Sequence, residues 1–236
     1  MFTALIIITL LILSFLAAAA LCGLSDIHFH GKGKPGQSRV ACVGDSITNG
    51  ALIPGCFFRS YPAVLGRLLG KAYHVENYGL NGRTLSDGAD RPYTKESEYE
   101  KSKAFDPEIV ILMLGTNDTK PCNWQNAEEM AHAYDVMIPR YTGMKKSPRV
   151  LLCTPTWAVN ARNRLQYITN DTEAALLPEV AAQAREAAKR HQIGLIDLYT
   201  LFEGKLEWLS YDGIHPNARG AKIIATEVAR MIRMQK

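Results

Sequence analysis

No block dense in lysine or arginine occurs in this sequence: 27 basic and 23 acidic side chains, a formal net charge of +4, are spread along 236 residues. Charge therefore gives no footing for a nucleic-acid partner, and even Lys145-Lys146 reads as a solvated helix end. No internal repeat is visible and no low-complexity tract follows residue 38, which sets solenoids and arrays aside. Metal-ligand patterns are lacking too. His28 and His30 form a lone H-x-H without a second ligand pair, so no metal is expected, nor any cofactor. With 47% hydrophobic and 21% charged residues, the composition is that of an ordinary globular protein and excludes a disordered or fibrous one.

Charged side chains are also absent from residues 2–24, a leucine- and isoleucine-rich run grading into Ala17-Ala18-Ala19-Ala20. Small residues at Ala18 and Ala20 suit cleavage after export, while the run is long enough to span a bilayer, which takes about 20 residues. Residues 1–24 are thus expected to be a signal peptide or a membrane anchor, placing the rest outside the cytoplasm. Residues 25–38, with Gly31-Lys32-Gly33-Lys34-Pro35-Gly36, have the composition of a flexible linker. That string spells G-x-G-x-x-G, but a dinucleotide site needs a strand before it and a helix at its end. Here a strand follows instead, and the nucleotide reading fails. Residues 39–236 remain for one domain.

Five cysteines need an account. Cys22 belongs to the leading segment, and Cys42 and Cys153 sit in expected strands, where a thiol packs as a small hydrophobe. Cys56 and Cys122 fall in loops on one edge of the expected sheet, where an oxidising compartment would let them pair.

From Arg39 onward, short apolar runs alternate with helical patterns. Val40 to Val43, His74 to Tyr78, Ile109 to Leu114, Val150 to Thr154 and Gly194 to Leu198 read as strands. Between them, stripes such as Tyr61, Val64, Leu65, Leu68 and Leu69, or Met130, Tyr134, Met137 and Ile138, mark helices. Leu177, Val180, Ala181 and Ala184 mark another, and a final helix begins near Pro216, a residue suited to a first helical position. This alternation predicts a parallel sheet between two helical layers, with ligands beyond the carboxyl ends of the strands.

Short polar segments occupy that predicted edge: Gly44-Asp45-Ser46, the Gly79 to Thr84 stretch, Gly115-Thr116-Asn117-Asp118, and Asp212-Gly213-Ile214-His215 ahead of the last helix. Ester hydrolysis needs a nucleophile, a base, a group that orients the base, and donors for an oxyanion. Ser46, His215 and Asp212 supply the first three in turn. Ser46 and Gly82 offer backbone N–H groups, and Asn117 offers an amide.

In this order the four segments resemble the blocks of the SGNH (GDSL) hydrolase superfamily, the second block being Asn77-Tyr78-Gly79-Leu80-Asn81-Gly82. The resemblance implies a three-layer α/β/α sandwich around a central, mainly parallel five-stranded sheet, flavodoxin-like in order. It implies Ser46 as nucleophile, His215 and Asp212 as the rest of a triad, and an oxyanion hole from Ser46 N–H, Gly82 N–H and the Asn117 side chain. The string from Gly115 to Trp124 further resembles the carbohydrate-esterase-like branch that removes acetyl groups from sugars; Cys56 and Cys122 depart from it. Arg83 and Trp124 are candidate substrate contacts, with Tyr93, Trp157 and Trp208 as further aromatic faces for a sugar ring. The expected partner is a glycan or small-molecule ester, with a membrane tether through residues 2–24 as an option. Self-association is not specified by the sequence. Two other readings stay open: a lipid esterase of the same fold, and a non-catalytic glycan-binding module. Asn117-Asp118-Thr119 and Asn170-Asp171-Thr172 match the glycosylation pattern, but a glycan on the first would block the expected oxyanion hole.

Overall fold

The computed structural model describes residues 23–159 and 173–234, together with residues 6–9, 13, 14 and 17. Most of residues 2–24, including Cys22, therefore lies outside the described residues, as does Asn170-Asp171-Thr172. Among the described residues no helix is long and apolar enough to cross a membrane.

In chain order the elements are β1 (Ser38–Gly44), α1 (Ser46–Asn49), α2 (Cys56–Arg59), α3 (Tyr61–Leu69), β2 (Tyr73–Gly79), α4 (Ser97–Ala104) and β3 (Ile109–Met113). There follow α5 (Ala127–Thr142), β4 (Arg149–Cys153), α6 (Leu177–Arg190), β5 (Gly194–Ile196), α7 (Leu198–Phe202) and α8 (Ala218–Met234). The strands form a single five-stranded sheet of order β2-β1-β3-β4-β5, with every pairing parallel. Chain direction across the sheet reverses between β1 and β3, the switch point where flavodoxin-like sheets open a crevice for ligands.

Period-two alternation sends neighbouring side chains to opposite faces. Val40 and Cys42 of β1, with Ile109, Ile111 and Met113 of β3, face the layer formed by α3 and α8 through Leu65, Ile224, Val228 and Ile232. Ala41, Val43, Val110 and Leu112 face the other layer, where α5 and α6 bring Met130, Tyr134, Ile138, Val180 and Ala184. Both faces are covered, so β3 reads as a continuous apolar run; truncating a buried residue such as Ile111 to alanine would cost about 2–5 kcal/mol.

Several boundaries shift for local reasons. The last helix starts at Ala218 rather than Pro216, because Asn217 Oδ1 accepts from Arg219 N (2.9 Å) and Gly220 N (3.1 Å) and so caps it. Strand β5 ends at Ile196 because Asp197 caps α7, accepting from Thr200 N at 3.2 Å. No disulfide joins the two loop cysteines: Cys56 is buried in the core beside α3, whereas Cys122 is exposed.

The linker reading of residues 25–38 needs correction. The stretch from residue 24 to 34 has no regular secondary structure, as its composition implies, yet it is docked along the edge strand β2. His28 Nε2 lies 2.6 Å from Gly79 O, His30 Nδ1 lies 3.2 Å from Glu76 Oε2, and Gly31 N donates to Glu76 Oε1 at 2.8 Å. Its own histidines and Glu76 of β2 anchor it, a signal that glycine and proline content obscures.

Candidate active site

The strand ends are level: Gly44 is in register with both Gly79 and Met113, so the loops after β1, β2 and β3 leave the sheet together. Onto that edge comes the Asp212–His215 turn from the C-terminal side. It is closed by Ser210 N donating to His215 O (2.7 Å) and by Gly213 N donating to Ser210 O (3.0 Å). Gly213 sits at φ +74°, where a Cβ would meet Val159 Cγ2 at 2.7 Å, so only glycine fits.

Within this turn Asp212 Oδ1 accepts from Ile214 N and His215 N, both at 3.1 Å, while Oδ2 lies 2.5 Å from His215 Nδ1. Burial works against the charged Asp212 carboxylate, but the His215 hydrogen bond and charge, with the two backbone N–H groups, hold its pKa below the usual carboxylate range. An ionised carboxylate only accepts, so Nδ1 carries a proton, and in its neutral form the ring turns the lone pair of Nε2 outward. That atom lies 2.8 Å from Ser46 Oγ, which thus donates to it.

Ser46 is the first residue of α1 and half-buried. Its predecessor Asp45 caps the helix, Oδ1 accepting from Ile47 N at 2.9 Å. Burial raises the Asp45 carboxyl pKa to about 6, opposed by that N–H, by His215 and by the Thr116 hydroxyl.

Gly82 and Asn117 lie in the loops that follow β2 and β3 at the same edge of the sheet. Gly82 lies at φ +76°, a left-handed conformation that costs other residues about 1–2 kcal/mol. Asn117 opens a 3-10 turn just beyond β3, and its Nδ2 donates to Arg83 O at 3.0 Å, leaving its second amide hydrogen for another acceptor. Sequence reasoning missed the residues that hold these loops. Asp118 Oδ2 and Oδ1 accept from Leu85 N (2.9 Å) and Ser86 N (2.8 Å), and Asn123 Nδ2 donates to Asn117 O at 2.9 Å. Burial pushes the Asp118 carboxyl up to about 6, against the two N–H groups. The partners of Asp118 lie more than thirty residues upstream, beyond any local pattern.

Other candidates are brought elsewhere. The Arg83 guanidinium is committed to protein: Nε donates to Glu96 Oε1 at 2.9 Å, and Nη1 donates to Asn81 O at 2.6 Å and Asp26 Oδ2 at 3.2 Å. It forms structural ion pairs with both carboxylates. Tyr93 is fully buried, its hydroxyl donating to Tyr78 O at 2.6 Å. Trp208 packs edge-on against Phe202 with ring centroids 5.3 Å apart, and Trp157 packs against the same layer. Trp124 is half-buried against the other layer. Among the described residues no group of three or more His, Cys, Asp or Glu side chains is placed to hold a metal ion.

A serine, histidine and aspartate in relay at the crevice of a flavodoxin-like sheet agree with what similarity shows, for residues 42–223 match the GDSL-like lipase/acylhydrolase family. The chain belongs to that family. It is 35% identical over 212 residues to an acetylxylan esterase of Xylanibacter ruminicola, an alignment covering 83% of this chain and 43% of that protein. The chain thus spans under half the length of that relative. Solved structures with the same fold as this GDSL-family chain include an aryl esterase of M. smegmatis, with TM-score 0.67 and 22% identity over 84% of this chain and 99% of the other. A carbohydrate acetylesterase of Sinorhizobium meliloti gives TM-score 0.68 and 19% identity, over 85% and 100% of the two chains.

Proposed function

We propose that this protein is a serine esterase that removes short acyl groups, acetyl above all, from carbohydrate. The observation that carries the reading is the relay in which Ser46 Oγ lies 2.8 Å from His215 Nε2 and His215 Nδ1 lies 2.5 Å from Asp212. Ser46 Oγ attacks the ester carbonyl while His215 Nε2 takes its proton, and Asp212 stabilises the imidazolium that forms. The tetrahedral oxyanion is received by Ser46 N–H, Gly82 N–H and the Asn117 amide. Collapse releases the sugar hydroxyl, protonated by His215, and leaves an acyl-enzyme. His215 then draws a proton from water, which attacks the acyl carbon and frees the acid.

Acetyl on carbohydrate is favoured by the similarity to an acetylxylan esterase across most of this chain. Export past the apolar residues 2–24 would suit a polysaccharide substrate, which lies outside the cell. The test is acetate release from acetylated xylan, set beside hydrolysis of p-nitrophenyl acetate, octanoate and palmitate. Ser46→Ala is expected to abolish turnover and phosphonate labelling while leaving thermal unfolding unchanged. Normal turnover by that variant refutes the mechanism, and a preference for palmitate replaces the carbohydrate substrate with lipid.

A further inference from the structure

We propose that Asp26, in the segment docked outside the sheet, is a positioning residue for the oxyanion wall, so that residues 23–31 belong to the active site rather than to a linker. The inference rests on the serine-esterase reading above.

The two carboxylate oxygens of Asp26 grip the chain on either side of Gly82. Oδ1 accepts from Asn81 N at 2.8 Å, and Oδ2 accepts from Arg83 Nη1 at 3.2 Å. The same segment holds both ends of the loop. Gly23 O accepts from Asn81 Nδ2 at 3.1 Å, and His28 Nε2 lies 2.6 Å from Gly79 O. Ser25 O and Gly23 O also accept from Asn49 Nδ2, at 3.2 and 3.0 Å, and Asn49 in turn donates to Asn81 Oδ1 at 3.0 Å. This ties the end of the nucleophile's own short helix to the Gly82 loop.

Such bracing matters because Gly82 is the residue of that wall with the most backbone freedom, held at φ +76° without a Cβ to restrict it. Oxyanion donors act by being aimed before charge develops, and a misaimed N–H must reorganise during the reaction. Arg83 couples the two donors further. Its guanidinium is held by Asp26 and Glu96, and its carbonyl accepts from Asn117 Nδ2 at 3.0 Å. Loss of the Asp26 carboxylate frees the Asn81–Arg83 backbone, and both Gly82 N–H and the Asn117 amide move with it. The relay of Ser46, His215 and Asp212 makes no contact with Asp26, so transition-state stabilisation is affected rather than proton transfer. Signal cleavage at Ala18 or Ala20 would leave the brace attached.

The experiment measures kcat and KM on p-nitrophenyl acetate, with thermal unfolding, for the full chain and for Asp26→Ala, Asp26→Asn, Asn117→Ala and the Asp26→Ala/Asn117→Ala pair. Asp26→Ala is expected to lower kcat about tenfold with KM nearly unchanged, the size of loss that a misplaced group produces without contact to substrate. Asp26→Asn keeps an acceptor for Asn81 N–H but loses the charge facing Arg83, and should recover kcat to about threefold below the parent. On the Asn117→Ala background the Asp26→Ala effect should shrink to about threefold, because one of the donors it aims is gone. A merely structural role would lower unfolding temperature and leave that coupling at zero. Unchanged kcat in Asp26→Ala, or the full loss on the Asn117→Ala background, overturns the proposal. If Asp26→Ala does not fold, unchanged kcat in Asp26→Asn overturns it as well. A folded parent without esterase activity removes the mechanism and this inference together, whereas an active parent indifferent to Asp26 removes this inference alone.

Discussion

The two sides of the proposed reaction centre are built in opposite ways. The base side is local: Asp212 and His215 are three residues apart, and the turn from Ser210 to His215 closes by its own hydrogen bonds. The donor side is assembled from distant pieces, with Asp118 reaching Leu85, Asn117 reaching Arg83 and Asp26 reaching Asn81. A local turn brings its own geometry wherever the fold carries it, at the cost of ordering only a few residues. A wall of long-range hydrogen bonds is aimed only when the whole domain has folded. The base side should therefore fail by loss of chemistry, and the donor side by loss of alignment.

The strongest way to break this contrast is Asp212→Asn. The isostere keeps the shape of the turn but lets His215 adopt the wrong tautomer, and kcat should fall on the order of 10⁴-fold with little change in unfolding temperature. A loss below about tenfold would show that Asp212 is only a turn residue. Next in size is Asn117→Ala, expected to lower kcat by about 10²–10³ while phosphonate labelling of Ser46 still proceeds, since the nucleophile and base are untouched. Equal loss of labelling and of normal affinity for ester would show that Asn117 shapes the relay instead.

Stability sharpens the comparison through one left-handed glycine on each side, Gly213 and Gly82. Gly213→Ala adds backbone strain and a clash with Val159, and should cost at least about 2 kcal/mol in chemical denaturation. Gly82→Ala meets only the flexible end of Arg91, at 3.1 Å, and should cost about 1 kcal/mol. The reverse order would mean that the donor wall, not the turn, is the tighter structure.

The smallest effect expected is electrostatic. Burial raises the Asp45 carboxyl from its ordinary 3.8 to about 6. The folded state thus favours the protonated form, and the stability this contributes is fully present below the ordinary value and lost as pH rises through about 6. Asp45→Asn keeps the helix cap without the charge, so unfolding free energy should fall less between pH 4.5 and 7.5 than in the parent, by on the order of 1–2 kcal/mol. Asp212 does not obscure the measurement, because its depressed pKa places its own loss of stability at lower pH. An identical pH dependence in both proteins would mean that Asp45 is solvated or compensated.

The sheet was legible because burial on both faces leaves a continuous apolar signature, as in Ile109 to Met113, and because helix stripes repeat at their own period. The helix Ser97–Ala104 was not, since its only buried residues are Glu98, Tyr99 and Ser102 and no apolar stripe marks it. Tyr93 read as a candidate aromatic face for a sugar ring because it lies in a loop after a strand, yet the fold buries it over β2 and satisfies its hydroxyl on Tyr78 O. The ion pairs of Arg83 were not legible, because its acidic partners lie at Asp26 and Glu96, beyond any local pattern.

By itself the sequence determined the inventory of reacting groups, their order along alternating strands and helices, and the Asp212–His215 pair, because short-range hydrogen bonds depend only on neighbouring backbone conformations. Tertiary structure alone decided that Ser46 meets His215, 169 positions further along the chain, that Arg83 forms ion pairs, and that the residues ahead of β1 brace the donor wall. The reason is geometric. Parallel register brings strand ends level at one edge, and only packing of both helical layers determines which side chains from distant segments face one another there.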